Sequence, residues 1–232
     1  MNRQLFITCI LLKNVWCWAG NEGLEYSGGI TKHHFTQKDT QRILIKRNIP
    51  VQCDKQEFLT NEMVWTGNYA NEKVPQICKS TFVHTTGHLQ PIKLHKDLET
   101  YGELETLEFI KQMQTRNDML LIDSRKEKWY DYMTIPGAIN MPFHYFKYRD
   151  THEFDFEHGL KDMGVKILDD EGHYDFTEAK MILVFCNGPW CSQSPKMIHA
   201  LLKVGYPPKK IKWYRGGMQS WLGAGLTSTK RR

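Results

Sequence analysis

Met181 to Phe185 is an unbroken apolar run of the length of a short buried strand. After a polar stretch, Met197, Ile198, Leu201 and Leu202 recur at helical spacing, which predicts a helix over residues 195–204 with one apolar face. Ser194 fits its N-cap, Pro195 its first turn and Gly205 its stop. Upstream, residues 103–114 predict a helix with Leu104, Leu107 and Ile110 inward, 119–122 a buried strand and 126–133 a second helix. Strands alternating with helices in this way predict an α/β domain with a parallel sheet. Lys166-Ile167-Leu168 and Tyr174-Asp175-Phe176, on either side of Asp169-Asp170-Glu171-Gly172, predict a small hairpin decorating it. Such an insertion either shapes access to a site or is decoration alone. Residues 21–88 read differently: Gly28-Gly29, polar turns and short apolar patches at Ile43-Leu44-Ile45 and Met63-Val64-Trp65 predict a small β-rich extension.

Composition narrows the class. With 232 residues and 41% hydrophobic content, the chain can bury one full core and holds one to two domains. Beyond the first residues no segment approaches the roughly 18 unbroken apolar residues of a membrane span, so no stable insertion is expected after processing. The net charge of +5 is spread along the chain apart from a short basic tail, residues 228–232, ending Lys230-Arg231-Arg232. That favours an ordinary solvated surface over nucleic-acid binding. His33, His34, His84 and His88 have no regular ligand spacing, so no metal site is expected.

The chemistry concentrates at Val184-Phe185-Cys186-Asn187-Gly188-Pro189-Trp190-Cys191-Ser192-Gln193-Ser194-Pro195. A cysteine between a strand end and a helix start faces backbone N–H groups and the positive end of the helix dipole, which favours thiolate over thiol and suits a bound anion. Gly188 is expected to turn the loop with a positive φ, while Pro189 and Trp190 stiffen one wall.

Three motifs in order over roughly residues 89–227 resemble a rhodanese domain. The first is Leu120-Leu121-Ile122-Asp123-Ser124-Arg125, with Trp129, Tyr132 and the run from Ile135 to Pro142. The second is the Cys186 loop, and the third is Trp213-Tyr214-Arg215-Gly216-Gly217-Met218 with Trp221. Together they resemble exported single-domain bacterial members of that family with a Cys-Asn-Gly-Pro-Trp-Cys loop. The resemblance implies a central parallel sheet flanked by helices and a sulfurtransferase without metal or organic cofactor. Cys186 would take sulfane sulfur from a small anion such as thiosulfate or polysulfide, hold it as a persulfide and pass it to a thiol or cyanide. The N–H groups of Asn187, Gly188, Trp190, Cys191 and Ser192, with Pro189 among them, would cradle donor and persulfide. Asp123 and Arg125 would form a supporting pair, and Arg215 would meet the donor's charged end or face solvent.

Two departures leave alternatives open. Cys186 and Gly205 are farther apart than in the usual rhodanese loop and helix, so the loop is expected to be longer and its pocket geometry and substrate choice are not inherited from the family. Cys191 is a second sulfur on the same loop, which makes a thiol-disulfide redox protein the first rival and a non-catalytic binding module the second. Phosphatase-type relatives are disfavoured because nothing from Asn187 to Pro195 is basic.

Residues 1–20 read as a signal peptide, with Arg3, the apolar run Leu5 to Leu12 and a cleavage site at Cys17-Trp18-Ala19. This implies a periplasmic or secreted protein; the other reading is an ordinary buried N-terminal element of a cytoplasmic one. In an oxidising compartment Cys53 and Cys78 are expected to pair, closing a loop of about 25 residues worth roughly 3 kcal/mol.

Overall fold

A computed structural model describes residues 29–35, 40–46, 75, 89–169 and 172–229. The expected signal segment at residues 1–20, the Cys53–Cys78 pair, His84, His88 and the last basic residues, 230–232, lie outside them. The elements are β1 (Gly29–Phe35), β2 (Thr40–Lys46), β3 (Glu99–Tyr101), α1 (Glu103–Gln112), β4 (Met119–Asp123), α2 (Glu127–Tyr132), β5 (Ile139–Asn140) and α3 (Phe143–Lys147). There follow α4 (Glu153–Asp162), β6 (Lys166–Ile167), β7 (Tyr174–Asp175), β8 (Met181–Phe185), α5 (Gln193–Lys203), β9 (Ile211–Tyr214) and α6 (Gly217–Gly223).

Five parallel strands form the central sheet in the order β3-β9-β8-β4-β5. β8 is the middle strand, which is why its sequence carries no polar position: both faces are covered. Its side chains alternate between two core layers. Ile182 and Val184 join Ile122, Trp213 and the α5 residues Met197, Ile198 and Leu201 on one face. Leu183 and Phe185 join Leu107, Ile110, Tyr214 and Trp221 of α1, β9 and α6 on the other. The expected α/β architecture is the one observed.

β4, β8 and β9 end level with one another, since Asp123 is in register with Phe185 and Phe185 with Tyr214. Their C-terminal edge therefore collects Ser124-Arg125, Cys186 and Arg215, the positions from which an open α/β sheet presents chemistry. The Ser124 N–H and hydroxyl both donate to the Phe185 carbonyl, at 3.0 and 2.7 Å, which locks the last turn of β4 against the residue before Cys186.

β1 and β2 form an antiparallel ribbon, the β-rich element expected in the N-terminal extension. It packs on the domain: Ile45 is fully buried in the second core layer. The Lys46 and Thr227 backbones are linked by a 2.9 Å bond, and the Gly137 N–H donates to His34 Nδ1 at 3.1 Å. His34 is thus a buried acceptor, and burial pushes its pKa down. Among the described residues no cluster of three or more His, Cys, Asp or Glu is placed to hold a metal ion, and no helix is long and apolar enough to cross a membrane.

β6 and β7 form the expected hairpin, with Lys166 opposite Asp175 and Ile167 opposite Tyr174. The Phe176 ring just beyond it packs on Tyr206 and lies beside Gly205, past the C-terminal end of α5. Cys186 is near the other end, about 16 Å away along an 11-residue helix. Of the two readings of this insertion, decoration is the one the placement supports.

Candidate active site

Helix α5 starts at Gln193, with Ser192 as N-cap, two residues before the sequence pattern put its cap. Ser194 therefore lies inside the first turn, fully buried, and its hydroxyl is spent elsewhere: it donates to Cys186 Sγ at 3.0 Å. Trp213, in the neighbouring strand β9, donates its indole N–H to the same Ser194 oxygen at 3.0 Å. Cys186 is only 2% and Cys191 5% exposed, and both are free thiols.

The two cysteines are in hydrogen-bond contact and their environments differ in sign. Burial pushes the Cys186 thiol well above its ordinary value, and the neighbouring Cys191 sulfur adds to this, against the pull of the Ser194 hydroxyl and N–H. Cys191 is lowered to about 6, first because the Cys186 S–H donates to it; the Gln193 and Asn187 N–H groups and the positive charge of Arg125 add to this, outweighing its burial. At Cys186 the expected thiolate meets opposing influences, burial raising its pKa while the Ser194 hydroxyl and N–H lower it, and the N–H groups of Asn187 and Gln193 act on Cys191.

The rest of the loop is clamped. The Cys191 N–H closes a turn on the Gly188 carbonyl at 2.9 Å, so it is spent within the loop. Met218 and Gln219 of α6 donate their N–H groups to the carbonyls of Cys186 and Asn187, at 3.0 and 2.8 Å. The Trp190 indole N–H donates to Gln219 Oε1 at 2.6 Å. Gly188 does not have the positive φ expected of it. What restricts it is space, because a Cβ there would meet Gln219 Oε1 at 2.7 Å and Trp190 Nε1 at 3.0 Å. The left-handed residue is Gly217, φ +54°, whose missing Cβ would lie 2.2 Å from the Cys186 carbonyl oxygen.

Asp123 and Arg125 form the expected buried pair. Arg125 Nη2 lies 2.6 Å from Asp123 Oδ2 and its Nε 2.9 Å from Oδ1, while Nη1 donates to Asn187 Oδ1 at 3.2 Å. Arg125 Nη2 also holds the Met133 carbonyl. Thr134 donates its hydroxyl to Asp123 Oδ2 at 2.8 Å, and the Asn140 amide donates to the carbonyls of Asp123 and Arg125, each at 2.9 Å. Neither Thr134 nor Asn140 carried a signal of this role beyond lying in the motif-bearing segment.

Arg215 is a support of another kind. Its Nε and Nη2 both donate to the Gln90 carbonyl, at 3.1 and 2.8 Å, and the Gln90 N–H donates to the Pro189 carbonyl at 2.8 Å. The guanidinium expected to meet a donor anion is committed to clipping the segment ahead of β3 onto the loop.

A five-stranded parallel sheet presenting a cysteine loop at its C-terminal edge agrees with the match of residues 106–224, just over half the chain, to the model of the Rhodanese-like domain. The chain belongs to the rhodanese-like family. Solved structures of low similarity include the BH2092 protein from Bacillus halodurans (19% identity, 57% of this chain and 77% of that one, TM-score 0.41). Another is described as rhodanese with anions from E. coli (20% identity, 48% and 98%, TM-score 0.31). The thiosulfate sulfurtransferase from Pseudomonas aeruginosa matches at 19% identity over 59% of this chain and 21% of its own length, with a TM-score of 0.36. No curated protein matches the sequence.

Proposed function

We propose that this rhodanese-like protein is a sulfurtransferase that moves sulfane sulfur from thiosulfate or polysulfide to a thiol or cyanide through a persulfide on Cys186. One observation carries this reading: the buried Cys186, at the end of the central strand β8, accepts the Ser194 hydroxyl of the first turn of α5 at 3.0 Å, with Cys191 of the same loop beside it. A thiolate among N–H donors has what the two displacements require, a soft nucleophile and groups that stabilise the anion at each stage. Asp123 and Arg125 act by position, holding the loop through Asn187. The chain's own residues supply every group this chemistry uses.

The same sulfur contact favours a second reading, a thiol-disulfide redox protein in which the pair closes a disulfide. Incubation with thiosulfate, and separately with polysulfide, followed by intact-mass measurement before and after cyanide, separates the two. Sulfur transfer predicts a gain of one sulfur that cyanide discharges. An unchanged mass with both donors, or a loss of two hydrogens dependent on both cysteines, overturns it.

A further inference from the structure

Resting on the sulfurtransferase reading, we infer that two residues outside the cysteine loop prepare Cys186 for attack: Ser194, the hydrogen-bond donor on the reacting sulfur, and Trp213, the positioning residue that aims it. The register of the sheet brings them together. Trp213 of β9 is opposite Val184 of β8, two residues before Cys186, and its side chain lies with Val184 in the core layer that α5 covers. There its indole reaches the first turn of the helix, where Ser194 is fully buried.

An indole N–H can only donate, so in the 3.0 Å contact between Trp213 and Ser194 the serine oxygen is the acceptor. The single hydrogen of that hydroxyl is left for its other close partner, Cys186 Sγ, also at 3.0 Å. Donation therefore runs one way, from indole to hydroxyl to sulfur. The Cys191 carbonyl oxygen, 3.5 Å from Cys186 Sγ, can only accept and so favours the thiol. Against that carbonyl and against burial, the Ser194 hydrogen bond favours the thiolate. Trp213 and Ser194 are both fully buried, and a row of polarised donors in a low-dielectric interior stabilises charge at its acceptor end. Without the indole N–H the serine hydroxyl is free to rotate and its hydrogen is no longer committed to the sulfur.

The row serves both displacements. The Cys186 thiolate attacks the outer sulfur of the donor, a sulfur–sulfur bond forms, and the donor's own sulfur–sulfur bond breaks with its electron pair leaving on sulfite or on the shortened polysulfide. An acceptor thiolate then attacks the outer sulfur of the persulfide, and the electron pair of the broken bond returns to Cys186 Sγ. The Ser194 hydroxyl meets the same negative sulfur as nucleophile and as leaving group.

The pH dependence of persulfide formation from thiosulfate, and separately from polysulfide, followed by intact mass, tests this. In Ser194→Ala the midpoint is expected to rise by about one pH unit, the worth of one hydrogen bond to a charged group. A more basic thiolate is also the better nucleophile, so the high-pH plateau should rise about threefold while the rate at neutral pH falls by about the same factor. A loop displaced by poor packing would lower both. Trp213→Phe keeps an aromatic ring and removes the N–H; it should raise the midpoint by about half a unit and add nothing further in the Ser194→Ala background. Benzothienylalanine at position 213 exchanges only the N–H for sulfur, fills the same space and should give the same shift where the phenylalanine variant fails to fold. An unchanged midpoint in Ser194→Ala or with the analogue, or a Trp213 effect that persists without the Ser194 hydroxyl, overturns the inference and leaves the sulfurtransferase reading intact. No persulfide on Cys186 of the wild-type protein with either donor overturns both.

Discussion

Arg125 Nη1 donates to Asn187 Oδ1 across 3.2 Å, so the ion pair at the end of β4 grips the first residue after Cys186. Both partners of that pair are buried, Asp123 fully and Arg125 at 2% exposure. Replacing Arg125 with Met leaves a carboxylate buried without its counter-charge. A loss of about 3–5 kcal/mol is expected in urea denaturation. Arg125→Lys keeps the charge but not the fork geometry and should cost less stability while still lowering sulfur transfer.

The cysteine pair gives the protein a distinctive titration. The folded Cys191 value lies below that of an unfolded cysteine, so its ionisation favours the folded state above the ordinary thiol range, and that contribution is lost as pH falls through about 6. Cys186 has the opposite sign: its folded value lies above the unfolded one. Stability it confers is therefore present below the ordinary thiol value and is lost as pH rises above it. Thiolate absorbance in the ultraviolet should show a step near pH 6 that disappears in Cys191→Ser and moves upward in Cys186→Ala, which lacks the S–H donor.

Gly217→Ala strikes the site from behind the loop. At φ +54° an alanine costs about 1–2 kcal/mol, and its Cβ cannot stay 2.2 Å from the Cys186 carbonyl oxygen. The loop must move, releasing the 3.0 Å bond from the Met218 N–H. Sulfur transfer should fall on the order of 100-fold, as when reacting groups shift by about an ångström, which steady-state kinetics would detect.

Ile45 tests how far the N-terminal ribbon belongs to the domain. Its side chain is fully buried beside Trp221 and Leu226 in the second core layer. Ile45→Ala should cost about 2–5 kcal/mol in a single cooperative unfolding transition. An unaltered midpoint would mean that the ribbon adds nothing to the stability of the sheet.

Much of this arrangement was legible in the chain. The apolar run of β8 and the 3–4 spacing of Met197, Ile198 and Leu201 are direct records of burial on a central strand and on one helix face. The Asp123-Arg125 pair was legible through the rhodanese resemblance. Ser194 was misread because a hydroxyl at a helix start has the same signature whether it caps backbone or serves a neighbouring thiol. Which sulfur the loop amides face depends on the loop path, fixed by Gly217 and the N–H groups of Met218 and Gln219, some 30 residues farther along. Arg215 was legible as a charge at the sheet edge, but its carbonyl partner, Gln90, is 125 positions away and carries no signal of its own.

The ribbon's attachment also bears on how the molecule can be divided. Ile45, His34 and the Lys46–Thr227 bonds fasten it to the domain, while Gln90 fastens the returning chain separately, at the Cys186 loop. The described ribbon thus has anchors independent of the peptide that joins it to residue 90. A chain cut between residues 47 and 88 should behave as a split protein whose halves stay associated, so ribbon and rhodanese-like body can be made apart and mixed as a complementation pair.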